Sequence, residues 1–245
     1  MLRHLVDKEG IPGLTIPIQE ETREDFTVLE AATGQQFRFI LPGPRLTADE
    51  WRMCLDAVLS LKRRARFVVA SGSLPPGVPD DFYGRLARAT KDAGSKIVVD
   101  TSGPPLKIAL EAGVYLVKPS LPEFKALMGK SFKSQHEWIA GCRSLVESGQ
   151  AEIVALTLGE QGALLVTRDH VLRAPALPIK PVSVVGAGDS FLGAMIWALA
   201  SGQSMEDAFR YGVAGGSAAL LMPGTELCRR EDVERLVREV ELQAL

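Results

Sequence analysis

A soluble α/β fold with a mostly parallel sheet is predicted by two features of the 245-residue sequence. From Phe67 onward, short β-branched runs alternate with amphipathic stretches, the pattern of parallel strands joined by helical crossovers that cover both faces of a sheet. Small polar clusters follow those runs, at the edge where ligands bind in open α/β sheets.

Taken in order, residues 1–7 followed by Gly10-Ile11-Pro12 read as the end of a helix and the start of a strand whose earlier partners are absent. Residues 26–29 and 37–41, separated by a turn around Thr33-Gly34, form a β-hairpin pattern. Thr47-Ala48-Asp49-Glu50 is a capping box that starts the next helix. Strands are then expected at 67–70, 97–100, 115–117 and 153–157. The intervening helices are expected at 80–93, 104–112, near 123–127 and at 135–147. After Gly188 the chain reads as helical throughout, over 191–200, 205–221 and 230–242. Neither an internal repeat nor a low-complexity linker occurs, so residues 1–245 read as a single domain with a small β appendage.

Composition narrows the function classes. At 46% hydrophobic and 24% charged residues the chain is neither disordered nor collagen-like. A net charge of -2 gives no overall positive field for nucleic acid or an anionic membrane surface. The longest apolar stretch, 191–200, is about half of the roughly 20 residues a spanning helix needs, and no signal-peptide pattern opens the chain. A cytoplasmic location is therefore expected. Cys54, Cys142 and Cys228 are far apart and odd in number, which suggests buried inert thiols rather than disulfides or a zinc site. His4, His136 and His170 are isolated, which argues against a His-metal centre and a Ser-His triad.

The sharpest local signal is Gly186-Ala187-Gly188-Asp189-Ser190, directly before the apolar stretch 191–200. Two glycines let backbone N–H groups crowd around an anion, and the positive helix end adds attraction. An aspartate in the first helical turn beside such a cradle can accept the proton of a substrate hydroxyl that attacks a phosphoryl group. The alternative is that Asp189 caps the helix and the glycines make a tight turn. A dinucleotide-binding fingerprint is excluded because the glycines come late and their spacing fails, and no Gly-Lys-Ser/Thr tripeptide of a Walker A loop occurs. The clusters from Ser71 to Gly77, Asp100 to Gly103, Lys118 to Glu123 and Thr157 to Gly162 each follow an expected strand, so four loops and the anion cradle converge on one sheet edge.

These motifs together resemble the phosphofructokinase B family of ribokinase-like sugar kinases, over residue 26 to the carboxyl terminus. The resemblance implies a three-layer α/β/α sandwich with a mostly parallel sheet and a small β lid, the hairpin of about residues 24–42. Gly186 to Ser190 is similar to the family's carboxyl-terminal signature. This makes Gly186, Ala187 and Gly188 the expected anion hole and Asp189 the expected base. The clusters above, with Gly224-Thr225-Glu226-Leu227-Cys228 and the segment from Val213 to Ala218, are most similar to the branch that acts on phosphorylated hexoses.

What that branch implies is transfer of the γ-phosphoryl of ATP to a hexose phosphate, foremost fructose 6-phosphate to fructose 1,6-bisphosphate. Tagatose 6-phosphate or fructose 1-phosphate is the alternative acceptor, and an inactive nucleotide-binding remnant is the alternative from another class. Lys118 and Glu123 are implied near the ATP phosphates and magnesium, with Asp100 helping to hold the metal. Thr157, Gly159 and Gly162 are implied along the nucleotide's phosphate and ribose, and Gly216 with Ser217 along its base. Arg23 and Ser73 are implied on the sugar side, although Arg23 also reads as a solvated charge among acidic neighbours from Glu20 to Asp25. Homodimer formation through the lid is the implied partnership.

The chain departs from the family in three ways. Ser120 stands where the family has asparagine, a shorter group expected to hold the metal-water shell less well, and Val184 stands where a threonine is common, which removes a hydroxyl close to the nucleotide. The family's amino-terminal half-site, with its first strand and a Gly-Gly-x-x-x-Asn stretch, has no counterpart. A chain lacking its first β-α units, from a late start codon or a truncated gene, is the expectation.

Overall fold

The computed structural model describes residues 2–30, 32–33, 35–60 and 65–245. The chain divides into two compact units, Met1–Arg63 with Leu74–Pro79, and Arg64–Ser73 with Asp80–Leu245.

In the first unit, helix α1 (Leu2–Lys8) is followed by a segment without regular structure from Ile11 to Pro17, where a strand was expected. The hairpin is present as antiparallel β1 (Phe26–Leu29) and β2 (Gln36–Phe39). Of its expected turn, Gly34 lies outside the described residues. Phe26 stacks on Phe39 at 4.9 Å, and Asp25 Oδ1 accepts the Leu41 N–H at 3.1 Å, which ends the second strand two residues earlier than expected. Helix α2 (Ala48–Leu59) begins at the expected capping box: the Thr47 side chain accepts from Glu50 N–H while Glu50 Oε2 accepts from Thr47 N–H at 2.7 Å. Glu50 also takes the Gln19 N–H at 2.6 Å and is buried, so these bonds to its charged form hold its carboxyl below the usual carboxylate range. Pro76 O accepts from Leu46 N–H at 2.8 Å and returns the segment Leu74–Pro79 to this unit.

The second unit is built on a seven-stranded sheet in the order β3 (Phe67–Ser71), β4 (Lys96–Asp100), β5 (Val114–Val117), β6 (Ala151–Thr157), β7 (Ala163–Val166), β8 (Val171–Ala174) and β9 (Gln243–Ala244). The first four strands pair in parallel through the helices α3 (Phe82–Asp92), α4 (Gly103–Ala112), α5 (Leu121–Met128) and α6 (Gln135–Glu147), all within a few residues of expectation. β7, β8 and β9 pair antiparallel with their neighbours and were not expected. The reason is the short connections, since four residues between β7 and β8 leave no room for a crossover helix. The alternation nevertheless leaves β3, β4, β5, β6 and β8 running the same way, so the sheet is mixed and mostly parallel in direction.

Helices α7 (Ala187–Ala200), α8 (Met205–Leu220) and α9 (Arg230–Leu236) follow. The helix expected over 230–242 stops at Leu236; a 3-10 turn spans Val237–Glu239, Val240 is extended, and β9 then pairs with β8. Val98, Leu116, Ile153, Ala155, Leu165 and Leu172 join Phe191, Met195, Phe209 and Leu236 in one buried cluster, so α7, α8 and α9 cover one face of the sheet. Val99, Val117, Val154 and Leu164 are buried as well, and because neighbouring strand residues face opposite ways, α3 to α6 cover the second face. The result is three layers, α/β/α. Among the described residues, no helix is long and apolar enough to cross a membrane.

Candidate active site

The amino-terminal end of α7 is fixed from outside the helix. Val182 N–H donates to Leu220 O at 2.7 Å, and the buried Ser183 hydroxyl donates to Gly224 O at 2.8 Å while accepting Val185 N–H at 3.3 Å. Gly186 then turns into the left-handed region at φ 76°, which costs a residue without a Cβ nothing, and its carbonyl accepts the Ser190 N–H at 2.8 Å. No side chain caps α7. The first N–H groups of the helix, with its partial positive charge, are thus left to meet an anion. Asp189 sits in this first turn, exposed, where no side-chain cap hydrogen bond is made.

Close packing of α7 on α8 holds that end in place. A Cβ on Gly215 would come within 2.6 Å of Ala194 Cβ and Ser190 O, and one on Gly216 within 3.2 Å of Ala187 O. Gly216, expected along the nucleotide base, therefore also lets α8 press against the first turn of α7. Ser217 is half-buried next to it.

Register brings the strand-end residues together. Asp100 ends β4, and Lys118 follows β5, whose Val117 is opposite Val99. Lys118 Nζ and Asp100 Oδ1 lie 3.2 Å apart, both largely buried. The same Nζ is 3.2 Å from where a Cβ on Gly188 would stand, so the absence of a side chain there admits the ammonium to the helix end. Burial pushes the Asp100 carboxyl above the usual carboxylate range; Lys118 opposes this, and the charges of Glu123 and Asp189 add to the rise. Glu123 and Asp189 are thus near enough for their charges to act on the Asp100 carboxyl, which Lys118 partners.

Ser120 caps α5 in a capping box of its own: Glu123 Oε2 accepts the Ser120 N–H and hydroxyl, both at 2.7 Å. The serine that replaces the family's asparagine is thereby spent on orienting Glu123. Ser120 also bridges to Thr157, whose N–H donates to Pro119 O at 3.0 Å. A 3-10 turn, Gly159–Gln161, follows, and Leu158 N–H donates to Gly162 O at 2.8 Å to close it. Gly162 is required there: its φ is 86°, and a Cβ would lie 2.1 Å from Ala174 O.

Asp100, Lys118, Ser120, Glu123, Thr157, Gly159, Gly162, the Gly186–Asp189 turn, Gly216 and Ser217 all belong to the second unit. Ser73 does too, exposed just past β3, where Gly72 N–H donates to Asp100 O at 2.9 Å. Arg23 belongs to the first unit, where it pairs with Asp25 Oδ1 at 3.4 Å. Among the described residues, no three or more His, Cys, Asp or Glu side chains form a metal-holding group. Asp100 and Glu123 are two carboxylates near enough for the charge of Glu123 to act on Asp100. That donor set suits magnesium, which keeps several waters and takes one or two carboxylates plus phosphate oxygens. Ser183 escaped the sequence reading because its partner, Gly224, is 41 residues away. A separate cavity of about 210 Å³, lined by Ala194, Trp197, Tyr211, Arg230, Val233 and Glu234, contains none of these residues.

The model of the pfkB family of carbohydrate kinases matches residues 1–232. The ATP-dependent 6-phosphofructokinase isozyme 2 of Mycobacterium tuberculosis is 43% identical over 235 residues, which are 96% of this chain and 69% of the relative. The 1-phosphofructokinase of Borreliella burgdorferi is 30% identical over 243 residues, 99% of this chain and 77% of that one. Among solved structures, phosphofructokinase-2 from Escherichia coli in complex with potassium superimposes with a TM-score of 0.93 at 38% identity, over 97% of this chain and 77% of the other.

Proposed function

The chain belongs to the pfkB family of carbohydrate kinases, and from that membership we propose a hexose phosphate kinase that transfers the γ-phosphoryl of ATP to fructose 6-phosphate. The observation that carries this is the uncapped helix end at Gly186, with Asp189 in its first turn and Lys118 at its base. The N–H groups of Ala187 and Gly188 bind the oxygens of the transferring group, whose charge grows along the reaction. Lys118 adds a fixed positive charge, and Asp100 holds it in place.

Asp189 takes the proton of the sugar hydroxyl as its oxygen bonds to the γ-phosphorus. The bond from that phosphorus to the β–γ bridging oxygen breaks, and its electron pair leaves with ADP. Magnesium, held through Glu123 and Asp100, supplies charge neutralisation at the phosphates when bound. Thr157, Gly159 and Gly162 line the nucleotide's phosphate and ribose, Gly216 and Ser217 its base, and Ser73 belongs to the sugar side. A base of this type contributes about 100- to 10,000-fold to the rate.

Fructose 1-phosphate is the second acceptor to consider, because a relative spanning 99% of the chain is named 1-phosphofructokinase. In the first unit, Phe26, Val28, Phe37 and Phe39 are each about half exposed on a two-stranded hairpin, an arrangement too small to be stable alone. That supports a homodimer joined through this lid. ATP and sugar phosphates as substrates support a cytoplasmic location. The test is ADP release with Mg·ATP and fructose 6-phosphate, tagatose 6-phosphate or fructose 1-phosphate, against a blank without sugar. Fructose 6-phosphate is expected to give the highest rate. No turnover with any of the three would reject the kinase and leave a nucleotide-binding remnant.

A further inference from the structure

Arg173, on β8, makes no ion pair with a carboxylate among the described residues, although it is only partly exposed. Its guanidinium donates instead to three backbone carbonyls and one amide. Nη1 bonds Ala174 O at 2.8 Å and Ala163 O at 3.1 Å, Nη2 bonds Gln161 O, and Nε bonds Gln135 Oε1 on α6 at 3.2 Å. Desolvation by burial lowers its pKa from the ordinary arginine value, so the site carries a cost that these bonds offset.

The three carbonyls surround one feature. Gln161 is inside the 3-10 turn, Ala163 opens β7, and Ala174 closes β8; between them stands Gly162. The carbonyl that a Cβ on Gly162 would strike, Ala174 O, is one of those held by Arg173. A rigid five-donor fork can reach three spread carbonyls at once, whereas the three donors of a lysine all radiate from one nitrogen. β6, which leads into the turn, ends at Thr157, whose N–H is tied to Pro119 O beside Lys118 and Ser120.

We infer that Arg173 is a positioning residue which clamps the turn Gly159–Gly162 against the end of β8 and so presets the nucleoside triphosphate side of the site. This rests on the reading that the turn borders the nucleotide. Binding then loses less entropy, because the turn is ordered before the ligand arrives.

The test compares the parent protein with Arg173→Met, which keeps the stem and removes the donors, and Arg173→Lys, which keeps the charge. Mg·ATP affinity is measured by calorimetry, backbone hydrogen exchange over residues 157–163 with and without Mg·ATP, and the melting temperature. Arg173→Met is expected to weaken Mg·ATP binding about tenfold, the worth of one charge-assisted hydrogen bond, and to speed exchange in the turn. Arg173→Lys should recover only part of the loss, and it carries the same comparison if Arg173→Met does not fold. Slower exchange in the parent with Mg·ATP, but unchanged affinity and exchange in both variants, overturns the clamp and leaves the nucleotide reading standing. Exchange in the parent that ignores Mg·ATP overturns that reading and the inference with it. A lower melting temperature with unchanged affinity reduces Arg173 to a packing role and also overturns the inference.

Discussion

Replacing Gly188 by alanine separates stability from activity. Gly188 is helical, so the substitution gains about 0.5–1 kcal/mol of helix propensity. Against this, the new Cβ would stand 3.2 Å from Lys118 Nζ, closer than such contacts normally are, and at an ordinary contact distance of 3.8 Å from its Cε. The neighbour is the free end of a flexible side chain, so it can retreat by a few tenths of an ångström. At an effective dielectric constant of about 20, that retreat weakens the attraction to Asp100 by about half a kcal/mol. The two effects nearly cancel, and the melting temperature should move by no more than a few degrees. Activity has no such compensation. A methyl group enters the cradle formed by the first N–H groups of α7, and the ammonium beside it shifts, a misplacement that can cost on the order of 100-fold. The assay is ADP release per site alongside thermal unfolding of parent and Gly188→Ala. Turnover within twofold of the parent, with the fold intact, would refute the assignment of this helix end as the phosphoryl site.

Three further outcomes are expected. Asp189→Asn should lower turnover by about 100- to 10,000-fold with Mg·ATP affinity nearly unchanged, checked by single-turnover kinetics and calorimetry. Because the folded-state pKa of Glu50 is depressed, the stability it adds is present above the ordinary glutamate pKa and is lost as the pH falls through its folded value. The urea midpoint of Glu50→Gln should therefore lie below that of the parent at pH 7 and converge with it in acid; a gap that persists in acid would reject the linkage. Cys142 is fully buried and its thiol is pushed up to about 12, whereas Cys54 and Cys228 are half-exposed, a departure from the expectation of three buried thiols. A thiol reagent at pH 8 should label Cys54 and Cys228 first and reach Cys142 only on unfolding, as peptide mapping would show.

Legibility in the sequence followed the range of the interactions. Strands β3 to β6 and their helices were readable because each buried run is local and both sheet faces are covered. The Thr47 box was readable for the same reason, since its partner is three residues away. The runs 163–166 and 171–174 escaped because no α-helical stretch separates them from β6 or from each other, and their strand character is decided by antiparallel pairing of β7 with β6 and β8 with β7. The last helix was extended too far because Val237, Val240 and Leu242 continue the apolar spacing, while pairing of Gln243 with Arg173 draws the chain into the sheet. At the proposed site, the glycine turn and the place of Asp189 in the first turn of α7 were readable because both are set by five adjacent residues. The supports that aim them were not, because the bond from Ser183 to Gly224 and the carbonyls around Arg173 exist only after the chain has folded back.

The central claim is phosphoryl transfer from ATP to a hexose phosphate at the end of α7. Phosphorus NMR of the 245-residue chain with Mg·ATP and fructose 6-phosphate tests it most directly, since donor, products and inorganic phosphate are resolved together. ADP and a second sugar phosphomonoester should appear one for one, with no such products from Asp189→Asn on the same timescale. ADP accompanied only by inorganic phosphate, or equal product from the parent and Asp189→Asn, would contradict it.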